Sequence, residues 1–342
     1  MTKRNQTRTP WAEHATDRRY GLVVDLSVCI VSYNTRKLLC DCVASIYRYA
    51  HSITFEVIIV DNASSDGSPD ESGRLYPQVR IIENPVNVGF ARANNQAIGH
   101  SCGRYVLLLN SDTVVMPGVL ETLVSFMDAH PEAGAAGGKL LNPDGTTQVG
   151  FNVRSVPDLT VLCYQLLLLD RLLPNSPVMR RYWMSDWDHS DIREVEQPAG
   201  ACLIVRRETI DQVGLMDEGF FYWYEDVDWC LRIRNGGWKI FYVPQAQVIH
   251  YGGKSSEQWD KEQAAVELCR SRLRYVRKHH NRAAFYLVKG LTVIGMILRI
   301  VVFLALSFRR KKGVAIKNVD WNERGSTIRA YWRALKVSLT SR

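Results

Sequence analysis

No CxxC pair occurs among the eight cysteines of this 342-residue chain. Cys29, Cys40, Cys42, Cys102, Cys163, Cys202, Cys230 and Cys269 are scattered, several inside apolar runs, so reduced thiols in a cytosolic protein are the expectation. No GxGxxG follows the first apolar run, and the dinucleotide fingerprint is therefore missing. No GxxxxGK[ST] occurs, which argues against a P-loop nucleotidase. Residues 1–20 are polar and basic, and Leu22 to Val31 is interrupted by Asp25 without a cleavage-site pattern, so this run reads as a strand rather than a secretory signal. Between Arg270 and Lys312 there is no Asp or Glu at all, against 12 Lys and Arg.

What is present is the composition of a globular protein with a real core: 46% hydrophobic and 23% charged residues. The net charge of +8 is unevenly spread, with +16 from Arg270 onward and −8 before it. A mildly acidic body with a strongly basic C-terminal region suggests an anionic surface as a partner. A membrane fits this better than nucleic acid, because no nucleic-acid recognition module is apparent.

Tyr105-Val106-Leu107-Leu108-Leu109 reads as a buried parallel strand, and Asn110-Ser111-Asp112 follows at once. Ligands of open parallel sheets bind outside the carboxyl ends of the strands, which makes Asp112 a candidate metal and phosphate anchor. Three earlier strands are predicted at Leu26–Val31, Glu56–Val60 and Val79–Ile82, with helices from about Arg36 to Tyr49 and from Ala91 to Ile98. This is an α/β pattern. Each strand end carries Asn or Asp: Asn34, Asp61 with Asn62, Asn87, and Asn110 with Asp112. One such loop is ordinary turn and capping chemistry; four on one edge point to a polar ligand cleft. Acidic and amide side chains suit ribose hydroxyls and base N–H groups, and reach a diphosphate only through a bridging divalent cation.

Residues 134–149 read as Gly-rich and turn-rich, with a hairpin signal at Asp144-Gly145. Leu159 to Leu173 reads as one amphipathic helix, and Tyr182, Trp183 and Trp187 serve either sugar stacking or packing. Gly200-Ala201-Cys202-Leu203-Ile204-Val205 is a strand whose small first residues allow close approach to a ligand. Beyond it, Phe220 to Tyr224 form an aromatic wall before Glu225-Asp226-Val227-Asp228. Acids in a first helical turn complement the dipole. Beside aromatics, poor solvation also makes a carboxylate a better base. His250 ends the next apolar run, either structural or a metal ligand.

The segments SVCIVSYNT, EVIIVDNASSDGS, ENPVNVGFARANN, YVLLLNSDTVVMPG, AGACLIVRRE and FFYWYEDVDWCLRIRNGGWKIFYVPQAQVIHYGG come in series over roughly residues 25–255. In them the chain resembles family 2 glycosyltransferases of the GT-A fold, and more narrowly their bacterial rhamnosyltransferase-like branch. The resemblance implies an inverting transfer of a sugar, rhamnose from a dTDP-sugar, to a lipid-linked or polysaccharide acceptor in cell-envelope glycan synthesis. It places Asp61 and Asn62 on the base and ribose, and Asn87, Gly89 and Asn94 on a nucleotide- and sugar-proximal loop, with Asn34 at the same cleft. Asn110-Ser111-Asp112 stands where the family has its DxD motif. The first acid is Asn here, a neutral oxygen ligand that would hold Mg²⁺ or Mn²⁺ less tightly. The resemblance makes Asp226 the catalytic base and His250 a further metal ligand beside Asp112. Gly200, Ala201, Trp223, Glu225 and Asp228 fall on the acceptor side, with Arg232 as an alternative partner for Asp228.

Three divisions are expected: an arm at 1–24, a GT-A domain at 25–269, and a basic membrane-associating helical region at 270–342. Within the last, Gly290 to Phe308 is apolar except for Arg299 and nearly long enough to span a bilayer. Basic residues flank both ends, so lying on the cytoplasmic leaflet, spanning it, or packing as a buried helix all stay open. Residues 320–338, with Trp321, Tyr331 and Trp332, read as a further amphipathic helix. Two rival functions remain: a sugar nucleotidyltransferase, which would normally show a Gly-rich basic loop near its first strand, and a non-catalytic membrane-bound scaffold with a degenerate site.

Overall fold

The computed structural model describes residues 23–253, 261–311 and 324–340. Most of the expected N-terminal arm and Trp321 lie outside the described residues. The first half alternates as predicted: β1 (Leu26–Ser32), α1 (Arg36–Tyr49), β2 (Phe55–Asp61), α2 (Ser68–Leu75), β3 (Arg80–Glu83), α3 (Phe90–Gly99) and β4 (Tyr105–Asn110). Then come β5 (Thr113–Val115), α4 (Val119–Ala129), β6 (Ala133–Leu141), β7 (Val153–Arg154), α5 (Leu159–Leu166), α6 (Leu169–Leu172) and α7 (Pro177–Trp183). They are followed by β8 (Arg193–Glu194), β9 (Gln197–Pro198), β10 (Cys202–Arg206), α8 (Arg207–Val213), α9 (Glu225–Asn235) and β11 (Lys239–His250). Three helices complete the described chain: α10 (Lys261–His279), α11 (Arg282–Lys311) and α12 (Arg324–Thr340).

The central sheet runs β3-β2-β1-β4-β10-β6-β11-β5, with β8 paired to β11. The β3-β2-β1-β4 half is parallel, β10 is antiparallel to both of its neighbours, and β11 is parallel to β6. Side chains alternate between two buried layers. Leu26, Val28, Ile30, Leu107 and Leu109 face α1 and α4, whereas Cys29, Ile58, Val60, Val106 and Leu108 face α3 and α9. A strand buried on both faces needs no polar residue at alternate positions, which explains the unbroken apolar runs. Burial of each such Leu or Ile stabilises the fold by about 1.5–3 kcal/mol.

Two expectations are corrected. The Gly-rich stretch begins with a nine-residue strand, β6, rather than with turns. Its glycines are there because neighbours lie too close for a side chain: a Cβ on Gly134 would fall 2.6 Å from Trp238, on Gly137 2.3 Å from Pro198, and on Gly138 2.7 Å from the Ala246 carbonyl. The turn at Asp144-Gly145 does follow, with Gly145 at φ +84°. Leu159 to Leu173 is not one helix but two, broken where Leu168 turns left-handed at φ 59°.

The expected division at 269/270 falls inside α10. That helix packs with α5, α9, α11 and α12 around Phe220, Val227, Leu273, Tyr275, Val276, Phe285 and Val288. Arg282–Val302 of α11 is long and apolar enough to cross a membrane by length and composition. One face is buried against the protein; Leu287, Ile294, Ile297, Val301 and Leu304 are exposed along the other. Arg299 is half-buried, and its guanidinium donates to the carbonyls of Gln165 (2.7 Å) and Leu166 (2.8 Å) at the end of α5. These are carbonyls that a helix C-terminus leaves without intrahelical donors.

Candidate active site

The carboxyl ends of β1, β2 and β4 open into one cleft, lined by Val31, Tyr33, Asn62, Asn87, Phe90, Asn110, Ser111, Asp112, Tyr222 and Gly253. Its loops are braced by amides. Asn34 Oδ1 accepts the Ser65 N–H at 2.7 Å and the Asn34 N–H donates to Ser64 Oγ at 2.8 Å, which ties the loop after β1 to the loop after β2. Asn62 donates to the Gly89 carbonyl and accepts from Asn84, which is itself paired with Gln96. Asn87 Oδ1 accepts the Gly89 N–H at 3.0 Å. Gly89 is required in its position: it sits at φ +87°, and a Cβ there would fall 2.6 Å from the Phe221 carbonyl. Ser111 Oγ accepts from Thr35 at 3.0 Å. Not every nucleotide-side residue named from the sequence faces the cleft. The Asp61 carboxylate accepts both the N–H (2.7 Å) and hydroxyl (2.6 Å) of Ser64, and Asn94 is buried and donates to the Phe90 carbonyl.

The antiparallel pairing of β5 with the end of β11 sets Thr113 opposite His250, and this register brings Asp112 to the imidazole. Asp112 Oδ1 lies 3.4 Å from His250 Nε2, and both side chains are almost fully buried. Asn110 Nδ2 is 3.5 Å from the same nitrogen. Gln148, which nothing in the sequence singles out, fixes the tautomer. Its Nε2 donates to the His250 carbonyl at 2.7 Å, so its Oε1 faces His250 Nδ1 at 2.9 Å and must accept a proton there. In the neutral imidazole Nε2 is then the nitrogen that carries no proton, turned toward Asp112 and Asn110. Phe151 stacks on the imidazole at 5.2 Å.

The cleft meets a second cavity of about 350 Å³ at Phe90, Asn110 and Tyr222. Gly200, Ala201, Trp183, Trp223, Glu225 and Asp226 line it. Asp226 is held by the Gln197 amide (3.0 Å) and the Gly200 N–H (3.3 Å) on Oδ2, and by the Val227 N–H (2.8 Å) on Oδ1. Gly200 lacks a side chain where a Cβ would lie 3.4 Å from that of Asp226. Glu225 is buried; desolvation first, then the Asp226 charge, push its carboxyl well above the usual range. The preceding Trp223 and Tyr224 both stand at positive φ, 64° and 68°. Such backbone in non-glycine residues costs of order 1–3 kcal/mol each, and α10 holds it in place: Ser271 donates to the Tyr222 carbonyl at 2.8 Å. Asp228 takes the alternative partner rather than the acceptor side. It is fully buried off the cavity, receiving Arg232 (2.9 Å), Lys278 (2.8 Å) and His279 (2.7 Å). Trp187 is likewise core, edge-on to Tyr242.

The sequence model of Glycosyl transferase family 2 matches residues 27–183. The N-acetylglucosaminyl-diphospho-decaprenol L-rhamnosyltransferase of Mycobacterium tuberculosis is 33% identical over 211 residues, covering 58% of this chain and 67% of that protein. The chain belongs to glycosyl transferase family 2. Rhamnosyltransferase WbbL of Escherichia coli is 26% identical over 172 residues, 48% of this chain and 61% of that one. Among solved structures, the glycosyltransferase shares its GT-A fold with the mannosyltransferase PcManGT of Pyrobaculum calidifontis in complex with GDP-Man and Mn²⁺. Identity there is 17%, the TM-score is 0.52, and 95% and 91% of the two chains are covered.

Proposed function

We propose that this glycosyltransferase moves rhamnose from a dTDP-sugar to a hydroxyl of a lipid-linked acceptor, with inversion at the transferred carbon. The observation that carries the reading is the meeting of two cavities at Asn110: one ringed by the amides and Asp112 of the strand ends, the other holding Asp226. In this reading Asn62, Asn87 and Ser111 bind and orient the nucleotide diphosphate, with Asp61 shaping the loop beneath it. Asp112 and Nε2 of a neutral His250 fit a divalent cation, with Asn110 able to present its oxygen once its amide is turned over. No group of three or more His, Cys, Asp or Glu side chains suited to a metal occurs among the described residues, so diphosphate oxygens and water must complete the shell. When bound, Mg²⁺ or Mn²⁺ supplies neutralisation of the charge on the departing diphosphate.

Asp226 acts as general base. Its Oδ1 carries one N–H donor against two on Oδ2 and retains room for a proton. The acceptor oxygen forms a bond to C1 while the C1–diphosphate bond breaks with its electron pair, and Asp226 Oδ1 takes the acceptor's proton. Such assistance contributes roughly 10²–10⁴ in rate. Lipid linkage of the acceptor is supported by the exposed apolar stripe on α11, in a region carrying a strong excess of Lys and Arg. The test is thermal stabilisation by a panel of nucleotide sugars with Mn²⁺, followed by transfer to a lipid-linked acceptor. Selective stabilisation by dTDP-rhamnose is expected. Binding of a free nucleoside triphosphate with release of pyrophosphate would indicate a nucleotidyltransferase, and no nucleotide response at all would indicate a scaffold.

A further inference from the structure

The second cavity carries charge that the chemistry at Asp226 does not use. Four arginines line it: Arg154 on β7, Arg171 on α6, Arg272 on α10 and Arg299 on α11. None forms an ion pair within 4.0 Å among the described residues. Arg272 is 8% exposed, and its Nε reaches only the Tyr224 hydroxyl, at 3.4 Å. The Arg154 Nε is buried without a hydrogen-bond partner. Burial, then the charges of Arg272 and Arg171, hold Arg299 below its ordinary value. The carboxylates on the same cavity are Asp170, Glu225 and Asp226; burial, then the Asp226 charge, push the Glu225 carboxyl up, with the Arg154 charge opposing. A buried guanidinium without a counter-ion is costly, and arginine forks match phosphate oxygens in pairs.

We propose that Arg272, Arg299, Arg171 and Arg154 form the seat of the acceptor's own diphosphate, so that the acceptor is a prenyl-diphosphate-linked sugar. The sugar then lies between this seat and Asp226, and the prenyl chain leaves along the exposed face of α11. This rests on the acceptor being lipid-linked, yet it is separable from the transfer reaction because the seat needs no cation. The probe is geranylgeranyl diphosphate in detergent, with EDTA present so that the donor cleft holds no metal, and binding is read by calorimetry and by thermal shift.

Wild-type protein is expected to bind the diphosphate at least about tenfold more tightly than geranylgeraniol, with Arg272→Gln losing about tenfold and Arg272→Lys much less. Arg171→Gln, at the exposed rim, is the variant that leaves folding untouched and should also weaken binding. Removing a charge that has no ion-pair partner among the described residues should raise the unfolding temperature of ligand-free Arg272→Gln, which separates loss of the seat from loss of the fold. Equal binding of alcohol and diphosphate, or Arg272→Gln and Arg171→Gln both binding like wild type, would overturn the proposal. Binding of inorganic pyrophosphate as tight as that of the prenyl form would overturn the lipid half of it. Failure of sugar transfer with diphosphate binding intact would count against the transferase reading alone.

Discussion

Gln148 and His250 exchange two contacts: the glutamine amide donates to the histidine's own carbonyl at 2.7 Å, and its oxygen faces Nδ1 at 2.9 Å. A side chain anchored at both ends cannot turn over, so the imidazole is left one tautomer. Gln148→Leu should weaken Mn²⁺ binding by about 10–100-fold, the usual effect of losing such an outer partner. Gln148→Glu keeps an acceptor for Nδ1 but sets an oxygen against the His250 carbonyl, and should recover only part of the loss. Calorimetric Mn²⁺ titration with a nucleoside diphosphate present measures this directly. Unchanged affinity in Gln148→Leu would remove His250 from the metal site.

Glu225 and Asp226 are adjacent acids with different work. Asp226→Asn should lose roughly 10²–10⁴ in turnover while still binding nucleotide. Glu225→Gln should stay near wild type, because burial favours the protonated carboxyl and an amide closely mimics that form. Stability follows the same difference. Since the folded state raises this carboxyl's pKa, the proton it holds stabilises the fold fully below the unfolded value of 4.5, and that contribution is lost as pH rises through the folded value. Glu225→Gln should abolish this loss with rising pH in a series of unfolding temperatures against pH. If Glu225→Gln is as inactive as Asp226→Asn, the base has been assigned to the wrong acid.

Local patterns carried most of the first half. A run such as Tyr105–Leu109 reads as a strand buried on both faces, and the polar strand ends gathered where parallel topology gathers them. What stayed hidden depends on distant packing. Glycines of β6 look like turn residues until Trp238, Pro198 and Ala246 are seen pressed against them. Asp61 and Asn94 make hydrogen bonds to Ser64 and Phe90 that no local pattern announces, and Asp228 is absorbed by a helix fifty positions downstream. Gln148 and Gln197 had no signal, because a lone glutamine in a loop acquires its meaning only from the side chain it meets.

Gly137 tests how the sheet supports the base. A methyl group there would fall 2.3 Å from Pro198 Cβ, next to the Gln197 and Gly200 donors that hold Asp226. Gly137→Ala should destabilise by about 1–3 kcal/mol, as overpacking usually does, and depress turnover more than that loss explains. Gly99→Ala, with nothing within 4 Å of the added carbon, is the control. Urea unfolding paired with steady-state rates measures both, and normal turnover in Gly137→Ala would show that Asp226 tolerates movement of its donors.

Lys278 bridges Asp217 (2.8 Å) and Asp228 (2.8 Å), joining α10 to the loop before the aromatic wall. Against the cost of burial, hydrogen bonds from Arg274 and Lys278 hold Asp217 well below the usual carboxylate range. With a depressed folded pKa, its contribution is present above the unfolded value of 3.8 and is lost as pH falls through the folded one. Lys278→Met should cost about 1–3 kcal/mol at neutral pH, as removal of one partner from a buried acceptor does. It should also bring acid unfolding to higher pH, read by intrinsic tryptophan fluorescence. An unchanged acid midpoint would mean that Arg274 alone maintains the tether.

Ile297 and Arg299 stand two positions apart on α11 and face opposite ways. Ile297 is 49% exposed in the apolar stripe, whereas the Arg299 guanidinium turns inward onto the end of α5. If the stripe lies in a bilayer interface, Ile297→Asp replaces buried apolar contact with a charge that anionic headgroups repel. Co-sedimentation with phosphatidylglycerol vesicles should fall about tenfold, since the lost area and the added charge each oppose binding, with no change in unfolding temperature. Arg299→Gln should do the reverse, losing stability by about 1–3 kcal/mol through the orphaned Gln165 and Leu166 carbonyls while vesicle binding persists. A helix that spanned the bilayer would respond differently, because extraction would then require detergent in both variants. Release of the wild-type protein by high salt alone would indicate that charge holds it to the surface and the apolar stripe serves another partner.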